Sequence, residues 1–372
     1  MKRSEKKRIL HLASFNGNVG DILNHQGFYK GIKELTGSMP DIKKLEIREF
    51  YRGNKKFDKN FTNFVNKFDT LIVGGGNYFE LWVDHSPTGT SIMIEPEDFS
   101  RIKIPVLFNA LGVDLGQEGS KKNIKKFKLF LDEIFSDPNH AISLRNDGAL
   151  KNIKSLFGEN FSKKFIHTPD AGFFVDFSHK QSKENYCLIN LPGDMEEIRY
   201  PGGKMHSSES FIDEFALLLT KIVEQESFDE FILIPHIYKD LESVFNLLKK
   251  LPDKITREKF KVAELNLGED ISRFKEYYEN SSMVFASRFH SNISGLKTNK
   301  QIVALENYVQ ITNLYDELNM KEKLLDVRKK GFSDKFFDNL HNDNYSNNPK
   351  DFNKNIEKDY KKYLQLVSRF LS

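Results

Sequence analysis

Short apolar runs alternate with amphipathic helical stretches along nearly the whole chain, and this alternation stops once and then restarts. Residues 9–15, 44–50, 70–73, 106–111, 141–144 and 165–168 read as strands. Residues 21–35, 57–68, 121–134 and 147–157 between them carry apolar side chains at helical spacing. Strands that alternate with helices of this length pair in parallel and form a doubly wound sheet. Residues 176–185 are polar and unpatterned and read as a linker. The pattern then resumes, with strands at 186–191, 231–234, 260–265, 283–286 and 302–305. Helices are predicted at 211–223, 241–251, 271–278, 290–297 and 309–318. In the tail, Ile356, Tyr360, Tyr363, Leu364, Val367 and Leu371 form one helical stripe. The predicted architecture is α/β: two Rossmann-like domains, 1–178 and 179–345, facing across a cleft, with a C-terminal helix in 346–372 packing back. Ligands in such folds bind beyond the carboxyl ends of the strands.

Several function classes lose support from the sequence. The 372 residues contain one cysteine, Cys187, which excludes an internal disulfide and a cysteine-based zinc site. No apolar run is long enough to span a bilayer, and the basic N-terminus leads directly into a strand-like run, without a signal-peptide core. A cytoplasmic location is expected. The 56 basic and 53 acidic residues leave a net charge of +3, too balanced for nucleic acid as the main partner. Lys121, Lys122, Lys125, Lys126 and Lys128 crowd one helix. They are either a solvated face or a surface for anionic lipid head groups or an anionic glycan carrier, the lipid contact holding the protein peripherally at the inner face of a membrane. The pattern sets no oligomeric state.

Candidate functional residues fall at predicted strand ends. Ser287-Arg288-Phe289-His290 follows the apolar run 283–286. On an extended backbone Arg288 and His290 point to one side, placing a fixed cation beside a titratable ring. Asn18, Gly20 and Asp21 lie between the first strand and first helix, where free amides meet an anion or Asp21 caps its own helix. Gly74-Gly75-Gly76-Asn77 ends the third strand as a turn or as a binding loop, with Tyr78 and Glu80 the next polar groups. Arg145 follows the strand 141–144 and is an anion clamp or an ion-pair partner of Asp147. Asp170 orients Arg145 or His167, or caps a turn. His236, after Pro235, stands four residues before Asp240. No metal motif and no dinucleotide fingerprint is present, so no cofactor is expected.

In order and spacing these landmarks resemble the polysaccharide pyruvyl transferase family. Asn18-Val19-Gly20-Asp21 is similar to its early N-x-G-D, and Leu71-Ile72-Val73-Gly74-Gly75-Gly76 to its glycine-triplet strand. Ser143-Leu144-Arg145-Asn146, Pro169-Asp170 and Ser287-Arg288-Phe289-His290 resemble the later landmarks. The resemblance spans roughly residues 10 to 320. It implies a fold similar to two-domain glycosyltransferases and transfer of a pyruvyl group from phosphoenolpyruvate to a sugar as a ketal. The acceptor would be a cell-surface glycan or its lipid-linked or nucleotide-linked precursor. It further implies Arg145 and Arg288 as anion clamps, His290 as the acid, His236 or Asp170 as the base, and Ser287 and the glycine loop as substrate contacts. Two features depart from the family: Asn299-Lys300-Gln301 stands where G-[IV]-P is common. Asn307-Tyr308-Val309-Gln310 carries no lysine where one is frequent. The alternatives are a nucleotide-sugar glycosyltransferase of the same plan and a non-catalytic glycan- or anion-binding member.

Overall fold

The computed structural model describes residues 7–116, 119–178, 184–225 and 228–371. The chain divides into two units. Met1–Asn16, Asn24–Val175 and Asn353–Ser372 make the first, and Gly17–Leu23 with Asp176–Phe352 make the second.

The first unit holds a six-stranded parallel sheet of β1 (Arg8–Ala13), β2 (Asp41–Glu46), β3 (Thr70–Glu80), β4 (Val106–Asp114), β5 (His140–Leu144) and β6 (Ile166–His167). Its order is β2-β1-β3-β4-β5-β6. The central strands are buried along almost their whole length, which is why they read as unbroken apolar runs. Edge strand β2 is only partly buried and ends earlier than predicted, because residues 48–51 turn into a short helix that sends Phe50 into the core. The glycine triplet is neither turn nor loop, which corrects the sequence reading. β3 runs straight through it, with Gly74 paired to Asn109 and Gly76 to Leu111. Glycine is required there by crowding. A Cβ on Gly74 would fall 2.5 Å from the Asn109 carbonyl, and one on Gly75 2.4 Å from Asn24 Oδ1.

The second unit holds β7 (Tyr186–Asn190), β8 (Glu230–Leu233), β9 (Phe260–Val262), β10 (Met283–Ala286), β11 (Gln301–Leu305) and β12 (Leu324–Leu325), all parallel. The order β12-β11-β10-β7-β8-β9 reverses direction between β7 and β10. That reversal is the topological switch point, where the loops after two neighbouring strands part and leave room for a ligand. In the first sheet the corresponding point lies between β1 and β3.

The terminal helix Phe352–Leu371 packs onto the first unit through its predicted stripe. Tyr363 donates to Asn109 Oδ1 at 2.9 Å, and the Phe370 carbonyl accepts from Thr70 Oγ1 at 2.8 Å. Among the described residues no helix is long and apolar enough to cross a membrane. The lysine-rich helix Lys121–Ile134 splits its charges. Lys126 caps the carbonyls of Asp84 and Ser86 and Lys128 pairs with Asp132, while Lys121, Lys122 and Lys125 face solvent.

Candidate active site

In the second unit, β10 ends at Ala286 and the chain turns at once into the helix Phe289–Lys297. Arg288 is the last extended residue, and His290 lies in the first helical turn. The strand geometry expected to align the two therefore does not apply. Both nevertheless bear on one point, the buried ring of His236, whose protonation each of them opposes.

Asn190 at the end of β7, Asp194 just beyond it and Asp240, which opens the helix after β8, hold Arg288 in place. Its backbone N–H donates to Asn190 Oδ1 at 3.0 Å. Its guanidinium grips Asp240 through Nε at 2.8 Å and through Nη2, and Nη2 also reaches Asp194 at 3.0 Å. Asp240 is fully buried and accepts from the backbone of His236 at 2.8 Å and of Gly193 at 3.0 Å. A carboxylate with three sets of donors is well satisfied without water.

Arg199, which the sequence reading did not single out, brings a second guanidinium to the same carboxylate. It lies 3.5 Å from Asp194, donates to Asn307 Oδ1 at 3.0 Å and stacks 5.3 Å over the Tyr308 ring. Asn307 and Tyr308 occupy the loop where the family lysine was missed. A cation thus reaches that loop from a helix about a hundred residues earlier in the chain. Its signal in the sequence was only an arginine closing a short acidic helix, Glu196–Arg199.

The electrostatics follow from this packing. Burial pushes the Asp194 carboxyl up, but Arg288 and then Arg199 pull it down further, so it stays below the usual range. Burial lowers the Arg288 pKa, and Asp240 and Asp194 more than restore it. Arg199 is lowered by burial and by repulsion from Arg288. Two guanidiniums and two carboxylates balance, yet the carboxylates differ. The Asp194 side chain is 27% exposed and that of Asp240 is fully enclosed. Of the two, only Asp194 is open to solvent.

His236 is fully buried and held well below its ordinary pKa, first by burial, then by Arg288 and His290. Its Nε2 donates to the Tyr278 hydroxyl at 3.0 Å, which donates on to Ser291 Oγ at 2.8 Å. The ring that the sequence reading offered as a base is thus enclosed and paired in this structure. Asn18 Oδ1 accepts from the Gly20 amide at 2.9 Å, so Asn18 rather than Asp21 caps the first helix, Val19–Thr36. Gly20 lies against the His290 ring. Ser287 Oγ is buried and has no partner among the described residues.

Arg145 and Asp170 belong to the first unit. Arg145 is buried and bonds Asp147 through Nε at 2.7 Å, with Asp170 at 3.6 Å. Asp170 also caps the turn Ala171–Phe174 by accepting from Gly172 N at 2.8 Å. Asp170, the other base that the sequence reading offered, is likewise enclosed and paired. Nearby, Glu80 is pushed up to about 7. Burial is the main cause and Asp114 adds to it, against the opposing pull of Ser91 and Arg145. Under the glycine triplet, His11 bonds the Gly74 carbonyl and, at 2.8 Å, the Tyr29 hydroxyl.

The family model of polysaccharide pyruvyl transferase matches residues 18–308, from the Asn18 cap to Tyr308 beneath Arg199. The chain belongs to the polysaccharide pyruvyl transferase family. Family membership makes it a member of a transferase family of polysaccharide biosynthesis. No curated protein matches it. Among solved structures it is similar to the UDP-GlcNAc 2-epimerase from Neisseria meningitidis bound to UDP-GlcNAc, at TM-score 0.55 and 11% identity over 97% of this chain and 100% of that one. The UDP-GlcNAc 2-epimerase of Methanocaldococcus jannaschii gives TM-score 0.53 at 11% identity, over 97% and 99% of the two chains. The S. aureus MnaA–UDP structure gives 0.52 at 12%, over 97% and 98%. At these identities the likeness establishes the fold, that of the GT-B type, for this pyruvyl transferase family member.

Proposed function

We propose that this protein transfers the pyruvyl group of phosphoenolpyruvate to two hydroxyls of one sugar in a cell-surface polysaccharide or its lipid-linked or nucleotide-linked precursor. The observation that carries the reading is the convergence of Arg288 and Arg199 on Asp194 in a pyruvyl transferase family member. Phosphoenolpyruvate brings a phosphate and a carboxylate. Paired guanidiniums suit both, because each presents a rigid fork of donors. In this reading Asp194 holds the place of one anionic group until the donor arrives.

The reaction adds a proton to the methylene carbon and a sugar oxygen to the neighbouring carbon. Phosphate then leaves and the second hydroxyl adds, so one donor and one diol give one ketal and inorganic phosphate. His290 is the group assigned to deliver the proton. A positioned acid contributes typically about 10²–10⁴-fold in rate. The arginines balance charge as the phosphate departs. Arg145 acts as a positioning residue within its own unit, and no metal or cofactor is required.

The test is incubation with phosphoenolpyruvate and a panel of glycosides, following phosphate release and the ketal methyl signal by NMR. Ketal formation supports the reading. Thermal stabilisation by UDP or GDP but not by phosphoenolpyruvate would replace it with glycosyl transfer. Stabilisation by glycans or anions without turnover would leave a binding protein.

A further inference from the structure

The first sheet ends at β2, which pairs with β1 on one side and, among the described residues, with no strand on the other. A groove of about 430 Å³ lies there, lined by β2, the loop after it and the helix Lys59–Val65. Its size is that of a ligand pocket. The floor is apolar and consists of Leu45, Phe50, Phe61 and Phe64. It is also fixed. Phe50 stacks on Phe57 at 4.0 Å, and both meet Phe61 edge-on, at 5.4 and 5.0 Å. Leu45 and Phe64 pack on the core yet stay partly open to solvent. Apolar surface is thus left on the outside of a rigid aromatic cluster.

Three exposed lysines line this surface, Lys43 on β2 and Lys55 and Lys56 on the loop before the helix. Among the described residues none of the three has a carboxylate partner. Asp58 is the only carboxylate among the described residues that line the groove, and it is engaged as the helix cap. It accepts from the Asn60 and Phe61 amides at 2.9 and 3.1 Å. Backbone hydrogen bonds from Gly53 to Phe50 and from Lys55 to Glu49, at 3.1 and 3.0 Å, order the loop. Lysine on an edge strand keeps other strands from pairing with it, which accounts for Lys43. Lys55 and Lys56 lie on no strand, so that reason does not reach them. An apolar floor beside three uncompensated positive charges is complementary to an amphiphile with an apolar chain and an anionic head.

We propose that the groove seats one acyl chain of an anionic phospholipid, with Lys43, Lys55 and Lys56 on its phosphate, and so docks the protein on an anionic membrane. Burial of the chain against the phenylalanines supplies a non-directional drive. Lysine suits the phosphate because an ammonium acts as a point charge and needs no fixed fork. Its long stem lies along apolar surface while the charge stays at the polar boundary. The groove is open to solvent on one side, so a chain reaches it while the head group stays in the interface. None of the lysines of the helix Lys121–Ile134 lines this groove, so the two surfaces are tested apart. The inference does not rest on the pyruvyl-transfer reading.

The test is co-sedimentation of the full chain with vesicles of phosphatidylcholine alone and of phosphatidylcholine mixed equally with phosphatidylglycerol. Binding to the mixed vesicles only is expected, and salt should weaken it. The triple variant Lys43→Gln, Lys55→Gln, Lys56→Gln is expected to bind about a hundredfold more weakly, at about fivefold for each charge. The triple variant Lys121→Gln, Lys122→Gln, Lys125→Gln is expected to bind as the native protein does. No binding to the mixed vesicles overturns the proposal. So does a loss confined to the second variant, with circular dichroism showing both variants folded. Calorimetric titration with dihexanoylphosphatidylglycerol and with glycerol phosphate is the second arm. Saturable binding of the short-chain lipid and none of glycerol phosphate is expected. Equal binding of the two assigns the lysines to a free anion, takes the acyl chain out of the groove and overturns the proposal.

Discussion

Gly20 and His290 meet so closely that no side chain fits between them: a Cβ built on Gly20 would lie 2.3 Å from His290 Nδ1 and 2.7 Å from Cγ. The glycine of the early N-x-G-D landmark and the histidine that ends the last one are thus two halves of one contact. Gly20→Ala must push the imidazole aside. Overpacking of this kind costs about 1–3 kcal/mol in stability. If His290 is the acid, its displacement is expected to cost about a hundredfold in rate, because a misplacement of an ångström matters. The check is kcat beside the unfolding midpoint. Unchanged kcat would remove His290 from the proton transfer.

Arg288 answers to a buried partner as well as to the proposed donor. Arg288→Ala strands the Asp240 carboxylate, which is fully enclosed, and is expected to cost about 3–5 kcal/mol. Folding loss in that variant says nothing about catalysis. Arg288→Lys keeps the charge and loses the fork, so it is expected to fold while phosphoenolpyruvate stabilises it less. Denaturant unfolding with and without the donor separates the two effects.

Asp194 is the partly exposed carboxylate between two guanidiniums. If it competes with the donor, Asp194→Asn unbalances the cluster toward positive charge and tightens phosphoenolpyruvate binding about tenfold, an effect of the size measured for close charge pairs. Calorimetric titration measures this. Weaker binding would mean that Asp194 orients Arg199 for the substrate instead of standing in for it.

Glu80 sets a pH dependence with a defined sign. Its folded pKa, about 7, lies above the ordinary carboxyl value of 4.5. The folded state therefore binds the extra proton, and the stability this contributes is full below 4.5 and lost as pH rises to about 7. Ser91, Asp114, Arg145 and Tyr51 are the groups that act on it or feel it. Relative to Glu80→Gln, the native protein is expected to lose on the order of 2–3 kcal/mol across that window. Urea midpoints of both proteins between pH 4.5 and 7 test the sign.

Much of this protein is encoded locally. Buried parallel strands are continuous apolar runs, so β10 was legible to the residue at Met283–Ala286 and the helices between strands to within a few positions. The order of short motifs was enough to point to the family. Arg288 and His290 were readable because chain order alone puts them where a strand ends. Period and order are properties of the chain itself, and no folded neighbour is needed to express them.

Pairing across the sheet is a different matter. Tertiary structure decided that Arg199 would share Asp194 with Arg288 and rest on Tyr308, because the reversal of strand order at β7 and β10 brings distant loops together. It turned the glycine triplet into strand by packing Asn24 and Asn109 against it, and it enclosed His236 with Tyr278, 42 residues downstream. It also held the Trp82 loop with Asn123. Spacing along the chain carries periodicity, while the partners of a buried charge, a glycine or an exposed ring come from segments that only the folded sheet makes neighbours.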